Sequence, residues 1–330
     1  MTRAVVVSTA MPVRSAVDEL FDLSSVTKTF TATLLADLAA GGVVDLDDPL
    51  SRFVPRDQRG PTDVTLRALA SHTAGLPAGG PLATLDEVLD ALASAPLSPR
   101  GQYRYSNLAY TLLGHVISTA ASMPFPSFAT ERILIPLGMT STAFESDLDG
   151  RVLAKGARAD TGEPVGPRDP VPLPGAGNLW TTPTDLLRWA TAWVDPPPSL
   201  ADAMDLALQP QVRLPPFAGV PFTWRLPSLP GRRAIGLAWR IEHDGLVWHT
   251  GGSPGFTTFC GFNRRDGSAT VALVASGMAH LPDSVRSLPI VERFLRYRAT
   301  VIATARAGRL VAAGPVTRRR APRPPSPRSS

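Results

Sequence analysis

Apolar residues recur at helical spacing early in the chain and predict a helix from Thr29 to Ala40. The apolar positions lie three or four residues apart, as on one face of an α-helix. They are Phe30, Leu34, Leu35 and Leu38. Gly41-Gly42 stops the pattern, as expected of glycine at a helix C-terminus. The residues that precede this helix therefore lie at its N-terminus, where free N–H groups and the helix dipole favour a developing anion.

The pattern changes to short apolar runs separated by turn residues towards the C-terminus, which predicts an antiparallel meander. Asp244-Gly245 and Arg265-Asp-Gly267 are the turn signals. The predicted strands cover residues 235–241, about 246–251, 256–262 and 269–275. A helix is predicted from about Asp283 to Ala307, and Ala4–Ser8 predicts one N-terminal strand. The proline-rich stretch from Pro210 to Pro230 predicts an irregular loop near the mouth of a cleft.

Lysine usage singles out one position just before the first predicted helix. Of the 33 basic residues only Lys28 and Lys155 are lysine, and all the others are arginine. A lysine can lose its proton and act as a base, whereas an arginine in a protein cannot. Ser25 lies three residues before Lys28, on the same helical face and in an apolar segment that would lower the pKa of the amine. Alternatively, Ser25 is only an N-cap and Lys28 a solvated residue of the first turn.

Two further tripeptides follow in a fixed order, and each has a physical use. Tyr105-Ser106-Asn107 offers a phenol that is either ionised near Lys28 or relays a proton to and from Ser25, together with an amide suited to gripping a substrate amide. His249-Thr250-Gly251 ends a predicted strand, and Gly251 and Gly252 let a substrate lie flat against its edge. Taken singly, Tyr105 is as easily a core aromatic, Asn107 a helix cap and the glycines turn residues.

Ser-x-x-Lys, Tyr-x-Asn and His-Thr-Gly in this order resemble the serine β-lactamase and penicillin-binding-protein superfamily, in its class C-related branch. The flanking text agrees, for example Leu69–Leu76 and Gly177–Asp185. The resemblance implies an α+β, β-lactamase/transpeptidase-like fold, with an antiparallel sheet covered by helices and an inserted, mostly helical region. The implied organisation is a sheet region of residues 1–60 plus 235–310, a helical region of residues 61–234 and a disordered tail of residues 311–330.

The resemblance also implies roles for the matching residues. Ser25 is the expected nucleophile, with Lys28 and Tyr105 moving its proton. The expected oxyanion hole is formed by the backbone N–H groups of Ser25 and Gly252. The expected substrate-binding residues are Asn107, His249, Thr250 and Gly251. The implied activity is that of a serine hydrolase acting through an acyl-enzyme on an ester or amide, as in esterases, D-amino-acid peptidases and DD-carboxypeptidases.

Two details of the third motif bear on this interpretation. Class C β-lactamases usually have lysine where this chain has His249, and histidine is charged only when it is protonated. This favours an ester or peptide hydrolase over a dedicated β-lactamase. Gly251-Gly-Ser-Pro-Gly255 also matches the Gly-x-Ser-x-Gly elbow of α/β-hydrolases, with Asp266 and His280 following. An elbow serine needs a helix directly after it, and a strand is predicted there instead.

Composition limits the remaining classes of protein to which the chain could belong. A length of 330 residues with 44% hydrophobic residues fits a globular enzyme, and the sequence has no apolar run long enough to span a membrane. One cysteine, Cys260, excludes intrachain disulfides, and the five histidines lack metal-ligand spacing, so neither a metal nor another cofactor is expected.

The net charge of +5 comes from the C-terminal end of the sequence. Residues 318–330 hold five arginines and no acid, which leaves 28 basic against 28 acidic residues elsewhere. We expect this tail to be disordered, although a basic tail can also contact anionic membranes or nucleic acid. The expected partner is a small-molecule or peptide substrate, with no nucleic acid and no integral membrane contact. The oligomeric state stays open.

The N-terminus departs from the pattern that the resemblance implies. Ser25 follows only 24 residues, whereas related proteins usually have two sheet strands before the nucleophile. Without an evident leader, the chain as written is expected to be cytoplasmic, or secreted if its start is truncated. Three explanations of the short segment before Ser25 stay open: an incorrect start codon, a rearranged sheet, or a degenerate, inactive member of the superfamily. The functional alternatives are an acyltransferase or peptide cyclase that uses the same serine, and a catalytically decayed binding protein.

Overall fold

The computed structural model describes residues 4–8, 19–55, 62–79, 84–94, 98–158, 161–167, 174–214 and 233–275. Seven α-helices occur in these ranges: α1 Thr27–Ala40, α2 Leu66–Ala70, α3 Leu85–Ser94, α4 Asn107–Ala121, α5 Phe125–Ala129, α6 Pro183–Ala192 and α7 Ala201–Ala207. The same ranges contain twelve strands: β1 Ala4–Ser8, β2 Phe21–Asp22, β3 Ala143–Phe144, β4 Gly156–Ala157, β5 Pro164–Val165, β6 Leu179–Thr181, β7 Val212–Leu214, β8 Arg233–Ile235, β9 Arg240–Ile241, β10 Val247–Gly252, β11 Thr257–Asn263 and β12 Ser268–Val274.

The largest sheet is antiparallel throughout and has the strand order β1-β12-β11-β10-β9-β8-β7. Every residue of β11 and β12 is buried, because α6 packs on one face of these strands and a second apolar cluster lies on the other. That second cluster consists of Leu246, Trp248, Phe259 and Ala272. Because both faces are covered, the two strands consist largely of apolar residues and threonine.

Helix α1 is buried on almost every side and lies between the sheet and the remaining helices. It contacts α4, α5 and α7, and the 3-10 turn Ser24–Val26 that precedes it contacts β10 and β11. All four threonines of the helix are buried, and three of them donate their hydroxyl to a carbonyl oxygen within 2.8 Å. These three are Thr29, Thr31 and Thr33. A helix buried in this way is a fixed support for groups at its N-terminus.

Two small sheets and the remaining helices complete the described structure. β2, β6 and β3 form a three-stranded antiparallel sheet, which brings the residues just before α1 against the segment before α6. β4 and β5 form a separate pair. None of the described helices has the length and apolar character needed to cross a membrane.

The secondary structure confirms most of the elements predicted from the periodicity. The first helix begins at Thr27, two residues earlier than predicted, and ends at Ala40. The meander forms with its turns at Asp244-Gly245 and Arg265-Asp-Gly267, and Ala4–Ser8 pairs with β12. The single strand predicted at 235–241 is wrong, because this stretch is divided between β8 and β9, which pair with each other. The predicted antiparallel sheet covered by helices is therefore present.

The prediction of an irregular loop from Pro210 to Pro230 is wrong at its start. Val212–Leu214 form β7, the edge strand of the large sheet, and residues 215–232 lie outside the described ranges. Flanking prolines suggested a loop, yet an edge strand tolerates prolines beside it because it is paired on one side only. β7 lies before the boundary proposed at residue 235, and the domain division itself stays a prediction. The helix predicted for 283–307 and the tail 311–330 fall outside the described residues.

Candidate active site

The turn before α1 is held in an unusual backbone conformation. Ser24 has a φ of +49°, in the left-handed region that non-glycine residues rarely adopt. Its N–H donates to Asp22 Oδ1 at 2.6 Å, and both residues are buried. The backbone therefore reverses sharply just before Ser25, which is half-buried in the 3-10 turn. Backbone strain of this kind concentrates at functional sites.

Lys28 is fully buried, and its amine faces the hydroxyl of Ser25. Nζ lies 3.2 Å from Ser25 Oγ and 2.6 Å from the carbonyl oxygen of Ala176. It also lies over the rings of Tyr105 and Tyr110, 5.2 Å and 5.7 Å from their centroids. The alternative of a solvated lysine in the first turn is therefore wrong, because this side chain has no exposed surface.

Tyr105 reaches the same hydroxyl from a different part of the chain. Its phenol donates to Ser25 Oγ at 2.7 Å. Burial raises the pKa of Tyr105 far above its ordinary value, and the pKa-lowering effects of the Ser25 hydrogen bond and of Arg240 are smaller. The phenol is therefore neutral at ordinary pH, which favours the proton relay over the ionised phenolate among the two alternatives raised by the sequence.

Asn107 is the first residue of α4, and its neighbour Ser106 is the helix cap. Ser106 Oγ accepts from the N–H of Ala109 at 3.1 Å and donates to the carbonyl of Pro77 at 2.6 Å. The alternative that Asn107 caps the helix is therefore wrong. The Asn107 amide donates to Gly79 O at 3.4 Å, and its contact with a substrate stays a prediction.

The third motif lies on β10 at the predicted position. Pairing with β11 places His249 opposite Cys260 and Thr250 opposite Phe259, so the two side chains project to opposite faces of the sheet. His249 is buried and Thr250 is half-buried, while Gly252 at the strand end is exposed. Their contacts with a substrate, and the oxyanion hole at the N–H groups of Ser25 and Gly252, stay predictions.

Gly251 is the point at which β10 meets the turn before α1. A Cβ at this position would lie 2.2 Å from the carbonyl oxygen of Leu23 and 3.2 Å from the Cβ of Ser24. No side chain fits such a distance, so glycine is required for the strand to approach the turn. This close approach brings the third motif to the first.

The structure also reveals neighbours that the motif search missed. His72, in the Leu69–Leu76 stretch, is buried against the ring of Tyr105 with 4.6 Å between ring centroids. Ala176 supplies the carbonyl that faces Lys28. Asn178, two residues later, has a φ of +78°. Sequence periodicity carries no signal for a left-handed histidine or asparagine, and a backbone acceptor has no sequence signature.

The sequence matches the family described as Beta-lactamase over residues 2–286. The chain belongs to the beta-lactamase family. Among curated proteins, it is 29% identical over 277 residues to the D-alanyl-D-alanine-carboxypeptidase/endopeptidase AmpH of Escherichia coli K12, an alignment that covers 75% of this chain and 68% of that protein. The family and this relative indicate a hydrolase.

Solved structures of low sequence identity share the fold of this beta-lactamase-family hydrolase. A class C beta lactamase from Rhodobacter sphaeroides superimposes with a TM-score of 0.69 at 21% identity, covering 87% of this chain and 86% of that one. A beta-lactamase/D-alanine carboxypeptidase from Pseudomonas syringae gives a TM-score of 0.68 at 20% identity, covering 90% and 86%. The predicted α+β, β-lactamase/transpeptidase-like fold is confirmed.

The competing elbow motif does not have the structure that it requires in this beta-lactamase-family fold. Ser253 lies in the turn between β10 and β11, and its N–H donates to the carbonyl of Phe256 at 2.9 Å. A strand follows it, as predicted, where an elbow serine needs a helix. The match to Gly-x-Ser-x-Gly is accidental.

Proposed function

We propose that this beta-lactamase-family hydrolase is a serine hydrolase that works through a covalent acyl-enzyme on Ser25. One observation carries the proposal: Ser25 Oγ lies 3.2 Å from the buried amine of Lys28 and 2.7 Å from the phenol of Tyr105. These are the distances at which a base removes a proton and an acid supplies one.

Acylation needs a base and a proton donor beside the same oxygen. In the proposed step, neutral Lys28 takes the hydroxyl proton of Ser25 while Oγ bonds to the carbonyl carbon of the substrate. The negative charge on the substrate oxygen is stabilised by the N–H groups of Ser25 and Gly252. The bond to the leaving group then breaks, and neutral Tyr105 gives that group its proton.

Deacylation restores the starting protonation states. Tyr105, now a phenolate, takes a proton from water as the water oxygen bonds to the acyl carbon. Protonated Lys28 returns its proton to Ser25 Oγ when the acyl–oxygen bond breaks. The net change is the addition of one water molecule across the ester or amide bond.

We infer an ester or peptide hydrolase rather than a dedicated β-lactamase. The support is the histidine at position 249 in the third motif, together with a relative named as a D-alanyl-D-alanine-carboxypeptidase/endopeptidase. Asn107 and His249 would orient the substrate amide or a carboxylate near it. The substrate class is thus a small ester or a peptide, with D-amino-acid peptides the first to test.

The test is covalent labelling combined with two serine variants. Wild-type protein is incubated with a fluorophosphonate and, separately, with a penicillin, and the intact mass and the modified peptide are determined. We expect one adduct, on Ser25. Ser25→Ala should form none and should lose hydrolysis of a p-nitrophenyl ester by on the order of a thousandfold or more. Ser253→Ala is the matched control and should label and turn over like the wild type.

Each alternative predicts a different result. A folded wild-type protein that binds penicillin without an adduct or turnover would be a decayed binding protein, and the proposal would be wrong. A Ser25→Ala protein that keeps the wild-type rate would also overturn it. An adduct that resolves faster with an added amine or alcohol than with water would indicate an acyltransferase. A lasting penicilloyl adduct would favour a DD-peptidase-like site over an esterase.

A further inference from the structure

His72 lies beneath the candidate active site in a conformation that histidine rarely adopts. It follows helix α2, Leu66–Ala70, by two residues and has a φ of +59°. Its side chain is 2% exposed. A left-handed backbone at a bulky residue is unfavourable, so the surrounding structure must enforce it.

Two hydrogen bonds connect His72 to the residues on either side of Tyr105. The backbone carbonyl of His72 accepts from the N–H of Arg104 at 2.7 Å. Its ring Nδ1 accepts from the N–H of Ser106 at 3.1 Å. One residue therefore holds both neighbours of the phenol that reaches Ser25.

The ring of His72 also supports the tyrosine itself. Its centroid lies 4.6 Å from that of Tyr105, with the two planes tilted by 35°. Tyr110 and Tyr103 flank the same ring at 5.0 Å and 5.8 Å. Tyr105 is therefore fixed by its two backbone neighbours and by the ring packed against it.

This arrangement leaves the second ring nitrogen of His72 without a hydrogen-bond partner among the described residues. Because Nδ1 accepts a hydrogen bond, the neutral ring carries its proton on Nε2, which is buried with no hydrogen-bond partner among the described residues. A buried donor without a partner destabilises the folded state. An apolar side chain would avoid that cost but could not accept from Ser106. The acceptor at Nδ1 is therefore the property that explains a histidine here.

Burial and the charges around His72 keep its ring out of the proton transfer. Burial is the main cause that lowers its pKa, and Lys28, His249 and Arg240 lower it further whenever they carry a positive charge. The ring is thus a neutral, fixed acceptor and does not compete with Lys28 for the proton of Ser25.

We propose that His72 is a positioning residue that holds the Tyr105 phenol against Ser25 by fixing Arg104 and Ser106. The inference rests on the proposed function, because the phenol matters only if Ser25 reacts. Without the Nδ1 acceptor, the segment that carries Tyr105 is free to shift, and a misplacement of about 1 Å costs on the order of a hundredfold in rate.

A pair of amide variants separates the acceptor from the bulk of the side chain. His72→Asn puts an amide oxygen near the position of Nδ1, and asparagine tolerates the left-handed backbone. His72→Gln puts the same amide near Nε2 instead. His115→Asn is the matched control for the kinetic readouts, since His115 bonds through Nε2 to the carbonyl of Phe53.

The readouts are kcat and KM for a p-nitrophenyl ester, the rate of fluorophosphonate labelling of Ser25, and the thermal unfolding midpoint. We expect His72→Gln to lower kcat and the labelling rate about a hundredfold, with KM changed by less than about threefold. We expect His72→Asn to stay within about fivefold of the wild type, and His115→Asn to match the wild type.

The outcomes distinguish this inference from the proposed function. A wild-type protein that forms no adduct on Ser25 overturns both. An active wild type together with a folded His72→Gln of equal rate overturns only the role of His72. A folded His72→Asn that is as impaired as His72→Gln also overturns the role of His72, because the restored acceptor would then have no effect. If His72→Gln does not fold, His72→Ala replaces it, because alanine also lacks the acceptor, and a folded His72→Ala with the wild-type rate overturns the role of His72.

Discussion

Lys28 combines the two properties that a catalytic base needs, burial and the ability to lose a proton. Arginine supplies positive charge at nearly every other basic position of this chain, so charge alone does not explain a lysine here. The amine contacts Ser25 Oγ and the carbonyl of Ala176, which hold it in one place. A group fixed at that distance from a hydroxyl is suited to taking its proton.

Exchange of lysine for arginine tests this assignment. We expect Lys28→Arg to lower kcat for an ester substrate by about a hundredfold to ten-thousandfold, because arginine keeps the charge but cannot act as a base. Lys155→Arg is the control, since Lys155 is exposed and is the only other lysine. Steady-state kinetics of both variants provide the measurement. Equal rates for Lys28→Arg and the wild type would show that Lys28 contributes charge alone.

At the scale of elements, the structure depends on close contacts between backbone segments. Strand β10 approaches the turn before α1 so closely at Gly251 that a methyl group would meet the carbonyl of Leu23. The third motif is therefore a packing feature as well as the predicted substrate-binding motif. Its glycine sets the separation between the strand edge and the candidate nucleophile.

Adding one methyl group at this contact should disturb both the site and the stability of the fold. We expect Gly251→Ala to destabilise the protein by about 1–3 kcal/mol and to lower the rate of Ser25 labelling at least tenfold, because the strand and the turn must separate. Gly166→Ala is the control, since a Cβ there has open space around it and the backbone φ is not positive. Chemical denaturation and labelling kinetics measure the two effects. A stable Gly251→Ala that labels at the wild-type rate contradicts the argument.

The elements differ in how well the sequence predicted them. Helix α1 and strands β10 to β12 follow from local apolar periodicity and turn residues, and they were predicted closely. β7 was missed because the prolines that flank it indicate a loop, while its pairing with β8 depends on a distant part of the chain. His72 was missed as a site residue because its role depends on contacts with residues 104–106, which no local pattern encodes.

At the scale of the whole molecule, the candidate site lies where three parts of the chain converge. The turn before α1 carries Ser25 and Lys28, the segment before α4 carries Tyr105, and β10 carries His249. Burial at this junction lowers the pKa of His72, and Lys28, His249 and Arg240 act in the same direction whenever they are positively charged. The folded protein therefore resists protonating a group that the unfolded chain protonates readily.

This difference links the junction to the stability of the entire fold. The unfolded chain binds a proton at His72 as the pH falls below about 6.5, whereas the folded state does not until the pH reaches its lowered pKa. The contribution of a neutral His72 is thus complete above pH 6.5 and is lost as the pH falls through that window. For one proton, the free energy of unfolding changes with pH by at most about 1.4 kcal/mol per pH unit.

We expect the difference in unfolding free energy between the wild type and His72→Asn to depend on pH, because the amide of asparagine does not titrate. The free energy of unfolding, measured by denaturant titration from pH 8 to pH 5, should fall more steeply for the wild type below pH 6.5. The carboxylates and the other four histidines are common to both proteins, so their titration cancels in the difference, apart from the electrostatic coupling of His249 to His72. Parallel curves across this range would mean that His72 titrates alike in both states, and that the junction is open to water.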